Sequence, residues 1–225
     1  MESPIPQNER DRLTALEGYG VIGTPPEVDF DDIAEMAGQI CSCPVSMINL
    51  IADKGTPSTS TDVGQLADTP FNGDAAVANG SSIAFLAEFC GTGVLFAADA
   101  HAPILVTSIR RLLAERSINT RLPLGAFKVP HHGSQNNLSI ELLDLLDCRN
   151  YLFSSNGDHF CHPDRQAVAR VIKYGGPQPS LRFNYKSRYN EVWAEPGLQE
   201  KHGYTSRYPD PEAPGFLISL FPPEG

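Results

Sequence analysis

From Asn79 onward, short apolar runs take turns with stretches whose apolar residues recur at helical spacing, and this alternation constrains the fold more than any other feature. Ser82-Ile-Ala-Phe-Leu86 and Val94-Leu-Phe-Ala97 have the length and composition of strands, with Gly91-Thr-Gly93 between them for a turn. Leu105, Ile109, Leu112 and Leu113 fall on one face of a helix. Ala126-Phe-Lys-Val129 reads as a strand, Ile140 to Leu146 as a helix and Tyr151-Leu-Phe153 as a strand. Pro163 suits a first helical turn and opens a helix carrying Ala167, Val168, Val171 and Ile172. Such alternation predicts an α/β layered architecture. The Pro/Gly-rich tail adds two expected strands, Leu181-Arg-Phe-Asn-Tyr185 and Gly215-Phe-Leu-Ile-Ser-Leu220.

The front of the chain is organised differently. Residues 8–53 read as helix, turn, helix, strand. Leu13 and Leu16 supply a short apolar face, and Gly20 to Pro26 breaks the chain. Phe30, Ile33, Ala37 and Ile40 then follow at helical spacing, before the β-branched run Val45-Ser-Met-Ile-Asn-Leu-Ile51. Residues 54–78 are rich in Gly, Ser, Thr, Pro and Asp without periodicity, which predicts a linker. The expected division is 1–53, linker 54–78, and 79–225.

Bulk properties narrow the function classes. A chain of 225 residues with 41% hydrophobic content can build a substantial core. No apolar run approaches the ~20 residues that span a bilayer. The first ten residues lack a basic stretch followed by an apolar one, so the expectation is a cytoplasmic protein without membrane association. A net charge of -10 argues against general binding to a phosphate backbone, so nucleic acid is not an expected partner. The five cysteines are scattered, and Cys41-Ser-Cys43 has no second pair at zinc-finger spacing.

The residues able to carry chemistry sit at the ends of the expected strands or in the loops beyond them. They are Asp99, His101, His131, His132, His159 and His162. That edge of an open α/β sheet is where ligands gather. Imidazole and carboxylate suit Zn, Mn or Fe, and a bridging carboxylate can hold two ions about 3.5–4 Å apart. Each residue also has a plainer role. Asp99 fits a strand end or a helix cap ahead of Pro103; His131 and His132 can order their loop by hydrogen bonds; His162 before Pro163 fits a helix N-cap. His101, His159 and His162 suit supporting or structural positions, as does Ser134.

Two resemblances extend this reading. Glu9-Arg-Asp-Arg-Leu-Thr-Ala-Leu16, Tyr19-Gly-Val-Ile-Gly-Thr-Pro-Pro-Glu27, Phe30-Asp-Asp-Ile33 and Pro44-Val-Ser-Met-Ile-Asn-Leu-Ile51 together resemble the opening of a GAF domain. Residues 77–173 resemble the C-terminal half of a metallo-β-lactamase-fold hydrolase of the competence-type branch. The carrying residues are Asn79-Gly-Ser-Ser-Ile-Ala-Phe-Leu86, Leu95-Phe-Ala-Ala-Asp-Ala100, Val129-Pro-His-His-Gly-Ser134, Ser154-Ser-Asn-Gly-Asp-His159 and His162-Pro163. The resemblance implies one αβ half of an αββα sandwich. It also implies Asp99, His131 and His132 as metal ligands, with His101, Ser134, His159 and His162 around them. In that family a glycine precedes the aspartate, where Ala98 stands here. The family's first ligands come from a His-x-His/Asp-x-Asp-His motif in the N-terminal half, and no histidine precedes His101.

The functional expectation is therefore a metal-dependent hydrolase, acting on a phosphoester or similar bond, whose missing ligands come from a second copy or a complementing N-terminal half. One alternative is an inactive fusion remnant or interaction module. Another is a GAF-type sensory protein.

Overall fold

Five parallel strands and one antiparallel edge strand form the main sheet, in the order Phe85–Phe89, Thr92–Phe96, Ala126–Lys128, Asn150–Phe153, Ser180–Phe183 and Thr205–Arg207. The computed structural model describes residues 60–158, 160–210 and 217–220. The expectations for residues 8–53, and for His159, lie outside the described residues.

β1 (Phe85–Phe89) and β2 (Thr92–Phe96) form a hairpin. Its turn runs through Cys90 and Gly91, whose φ values of 47° and 77° are those of a two-residue type I′ turn. The turn therefore precedes the Gly91-Thr-Gly93 expected from composition. The remaining strands need crossovers, since parallel neighbours cannot be joined by a tight turn. α3 (Ala102–Glu115) leads from β2 towards β4 (Ala126–Lys128), and α5 (Arg165–Tyr174) leads from β6 (Asn150–Phe153) to β7 (Ser180–Phe183). α6 (Pro196–His202), capped by Gly203, delivers β8 (Thr205–Arg207).

Strand alternation sorts the side chains onto two faces. Leu95, Phe127, Tyr151, Phe153, Leu181 and Phe183 point into one core, shared with Leu105, Val106 and Ile109 of α3 and Val168 and Val171 of α5. Phe127 meets Tyr151 edge-on at 6.1 Å, and Phe153 stacks on Phe183 at 4.9 Å. Fully burying side chains of this size contributes about 1.5–3 kcal/mol each. On the other face the register chains Phe85, Phe96, Lys128, Leu152, Arg182 and Arg207 into a single row across the sheet.

Several elements differ from the sequence reading. The described part of the expected linker contains α1 (Val63–Ala67), N-capped by the Asp62 side chain, and α2 (Val77–Gly80). Val63, Leu66 and Ala67 are buried as α1 packs against α5, and Lys173 and Tyr174 of α5 bond Asp68. A five-residue helix shows no periodicity against its Ser, Thr and Asp surroundings. The helix expected over Ile140 to Leu146 stops at Asp144 as α4 (Ile140–Asp144), and the chain extends into β5 (Leu146–Cys148). β5 pairs with β3 (Leu122–Leu124) in a separate parallel ladder. α5 begins at Arg165 with Asp164 as its N-cap, not at Pro163. Leu217 to Leu220 form no strand. Among the described residues no helix is long and apolar enough to cross a membrane.

Candidate functional site

Three chain segments leave the sheet at the same edge: residues 97–101 after β2, 129–137 after β4 and 154–164 after β6. The first two are tied directly. His131 N–H donates to Ala98 O at 2.8 Å, and Ala97 N–H to Lys128 O at 3.3 Å. The third joins through Asp164, whose N–H donates to Gly133 O at 2.9 Å and whose Oδ2 accepts from Gln135 N at 2.7 Å.

The backbone here is unusual. Ala98 has φ 48°, and His131, His132 and Gly133 follow one another at φ 43°, 56° and 89°. Left-handed geometry costs a non-glycine residue roughly 1–2 kcal/mol and persists only where the surroundings enforce it. At Gly133 the enforcement is visible, since a Cβ there would lie 2.7 Å from Pro163 Cβ and 2.9 Å from Phe153 Cδ1.

This turn sends the two adjacent histidines in different directions. The Nδ1 of His132 is bonded to Ser154 O, and its Nε2 stands 3.8 Å from Asp99 Oδ1. Both side chains are partly open to solvent. They edge a cleft of about 420 Å³ that also holds Lys128 and Ala98, with Phe85 and Phe96 stacked at 4.8 Å on its apolar side. Burial draws the Lys128 ammonium below the ordinary lysine range, against the pull of the nearby Asp99 carboxylate. Lys128 Nζ donates to Val129 O at 2.8 Å.

His131 faces a second, drier group. Its Nδ1 lies 3.0 Å from Asn137 Oδ1 and 3.4 Å from Asp74 Oδ2, two acceptors that place the ring proton on Nδ1. Asn79 Nδ2 also approaches that Nδ1 at 3.3 Å while donating to Asp74 Oδ2 at 2.6 Å. Burial opposes the Asp74 charge, but the Ala76 N–H, Asn79, Asn137 and His131 outweigh it and hold the carboxyl at about 2. His162 packs beside His131 with ring centroids 5.4 Å apart and is 1% exposed. Its Nδ1 meets Asp164 Oδ1 at 3.2 Å, and among the described residues its Nε2 has no hydrogen-bond partner.

The expected site residues thus fall into two sets. Asp99 and His132 share the cleft; His131 and His162 form an inner pair. His101 is the N-cap residue of α3 but makes no side-chain cap bond; its Nε2 instead bonds Ala76 O at 3.0 Å, tying α2 to α3. Ser134 is buried, and its Oγ accepts from Asn136 N, closing the loop. His162 is not the N-cap expected of it; Asp164 is. The reading from sequence missed Asp74, Asn137, Asp164 and Lys128, because polar side chains that fasten loops carry no spacing signature.

Two protein atoms bound to one tetrahedral ion at about 2.0–2.2 Å each lie about 3.4 Å apart, so Asp99 and His132, at 3.8 Å, would have to close slightly to share one. The set is incomplete as a metal centre. Among the described residues no group of three or more His, Cys, Asp or Glu side chains is placed to hold an ion, and Lys128 brings a positive charge into the same cleft. No family model, no curated protein and no solved structure matches this chain.

Proposed function

We propose that this chain carries half of a metal-dependent hydrolase site of the metallo-β-lactamase type, with Asp99 and His132 as its ligands and the remaining donors supplied by a second copy or a complementing N-terminal half. The approach of His132 Nε2 to Asp99 Oδ1, at 3.8 Å, carries the reading. The mostly parallel α/β sheet and the left-handed Ala98, at the position where that family has glycine, agree with it. A bound ion in such a site lowers the pKa of its water towards 7, at about neutral pH. This chain's own residues do the rest: Ser154 O fixes the His132 tautomer, and Lys128 stands ready to hold an anionic oxygen of a phosphoester. Phe85 and Phe96 shield the cleft on one side.

The test couples size-exclusion chromatography of the full chain to metal quantification, alone and with Zn or Mn added. The reading expects an assembly that retains metal, and retention lost in Asp99→Asn and in His132→Ala. A monomer that takes up neither metal sinks it. Lys128 beside Asp99 favours a second reading, a non-catalytic module in which the lysine is the aspartate's counter-ion. There, Lys128→Met would destabilise the chain and Asp99→Asn together with Lys128→Met would recover the loss.

A further inference from the structure

At the other end of the sheet, Arg182 on β7 and Arg207 on β8 are register partners. Neighbouring strands lie about 4.8 Å apart, so two guanidinium stems project side by side from one face. Like charges directly opposite on adjacent strands destabilise a sheet unless something lies between them. Nothing in the described structure does. Among the described residues neither arginine is in an ion pair or a side-chain hydrogen bond, and Arg182 Nε is buried without a partner. Arg149, just ahead of β6, adds a third positive charge, and its carbonyl accepts from Ser180 N at 2.7 Å, which brings it to the start of β7. Burial, then Arg207 and Arg149, all disfavour the Arg182 charge.

The acidic surplus of the chain makes this arrangement informative. With 27 Asp and Glu against 17 Lys and Arg, carboxylates are plentiful, and several surface arginines have one. Arg110 pairs with Glu141, Arg111 with Glu115 and Arg116 with Glu88. Arg182 and Arg207 instead meet each other across a strand pair.

We infer that Arg182 and Arg207, flanked by Arg149, form a binding site for a tetrahedral oxyanion of the phosphate class, either free phosphate or the terminal phosphate of a small monoester. A guanidinium presents two parallel N–H groups, and two such forks can engage separate oxygens of one tetrahedral anion, which a planar carboxylate satisfies less well. The site is distinct from the cleft. Leu152 stands between Arg182 and Lys128 in the row, which separates their backbones by two strand spacings, about 10 Å. The inference does not depend on the metal reading.

Thermal unfolding and calorimetric titration of the full chain test it, with inorganic phosphate, phenyl phosphate and acetate compared at equal ionic strength. Inorganic phosphate is expected to raise Tm, with affinity reduced by about tenfold or more in Arg207→Gln and retained in Arg111→Gln. In phosphate-free buffer Arg207→Gln is expected to raise Tm by relieving the repulsion. Tighter binding of phenyl phosphate than of phosphate identifies the monoester as the source; equal or weaker binding identifies the free ion. The inference is overturned if phosphate acts equally on the wild type and Arg207→Gln, if acetate matches phosphate, or if Arg207→Gln lowers Tm without phosphate.

Discussion

Asn137 Oδ1 lies 3.0 Å from His131 Nδ1, and the amide nitrogen of the same side chain reaches across to the loop that carries Asp99. Asn137 Nδ2 is 3.0 Å from Asp74 Oδ2, 3.2 Å from Asp99 O and 3.3 Å from Ala100 O. One fully buried amide therefore joins three segments that are remote in sequence. The loops after β2 and β4 are thus joined through this side chain as well as through the bond from His131 N–H to Ala98 O.

Asn137→Ala should accordingly be costly. It takes one donor of several from the Asp74 carboxylate and the Nδ2 contacts from Asp99 O and Ala100 O, and leaving such carbonyls unsatisfied costs about 1–3 kcal/mol. Urea denaturation is expected to show a loss of about 2 kcal/mol or more. A loss under about 0.5 kcal/mol would mean that water replaces the amide and that the network does not hold the loops.

Ala98 offers a change of the opposite sign. Its φ of 48° strains an alanine but not a glycine. The relief of roughly 1–2 kcal/mol exceeds the entropy that glycine adds to the unfolded chain, about 0.5–1 kcal/mol. Ala98→Gly is expected to raise the denaturation midpoint modestly, and Ala98→Val to lower it.

Gly133 has no such latitude. A methyl there combines φ 89° with contacts of 2.7 Å and 2.9 Å to Pro163 and Phe153. Gly133→Ala should cost about 2–4 kcal/mol in chemical denaturation and displace His132, so any cation bound with Asp99 should weaken in parallel.

The alkaline limit of stability should trace to Cys148. Burial pushes its thiol up to about 12, with backbone hydrogen bonding from Asn150 opposing only in part. An unfolded thiol titrates near 8.5, so above about pH 8.5 the unfolded chain releases a proton that the folded chain keeps. Stability then falls as pH rises, by up to about 1.4 kcal/mol per pH unit, until the folded thiol also ionises. Denaturation at pH 8 and pH 10 should show this slope in the wild type and a shallower one in Cys148→Ala. Equal slopes would remove Cys148 as the cause. Tyr208, likewise raised to about 12 by burial, contributes only at higher pH.

Much of the sheet was legible in the sequence because its strands are short apolar runs between helices with clear periodicity. β2, β4, β6 and α3 fall where that pattern puts them. The failures have local causes. Leu122–Leu124 and Leu146–Cys148 are too short to show alternation, and Pro123 masks the first. α1 rests on Asp62 capping and on burial against α5, neither of which shows in a window of composition. At the site, residue type and strand end located Asp99 and His132 together. The parting of His131 from His132 was not legible, since it follows from consecutive left-handed φ values. Nor was Asp74, which reaches Asn137 from 63 residues away.

The single hairpin of the main sheet, β1 with β2, has a consequence for the order in which the molecule can assemble. Every other pairing in that sheet joins strands separated by a crossover, and closing such loops is what slows the folding of parallel sheets. The hairpin can form early and alone, yet it delivers only the approach to Asp99. His132 arrives with β4, Ser154 with β6 and the Asp164 brace with α5. The cleft is thus completed only when most of the sheet has closed, so a ligand seated there reports on the folded state of the whole sheet and not of one loop.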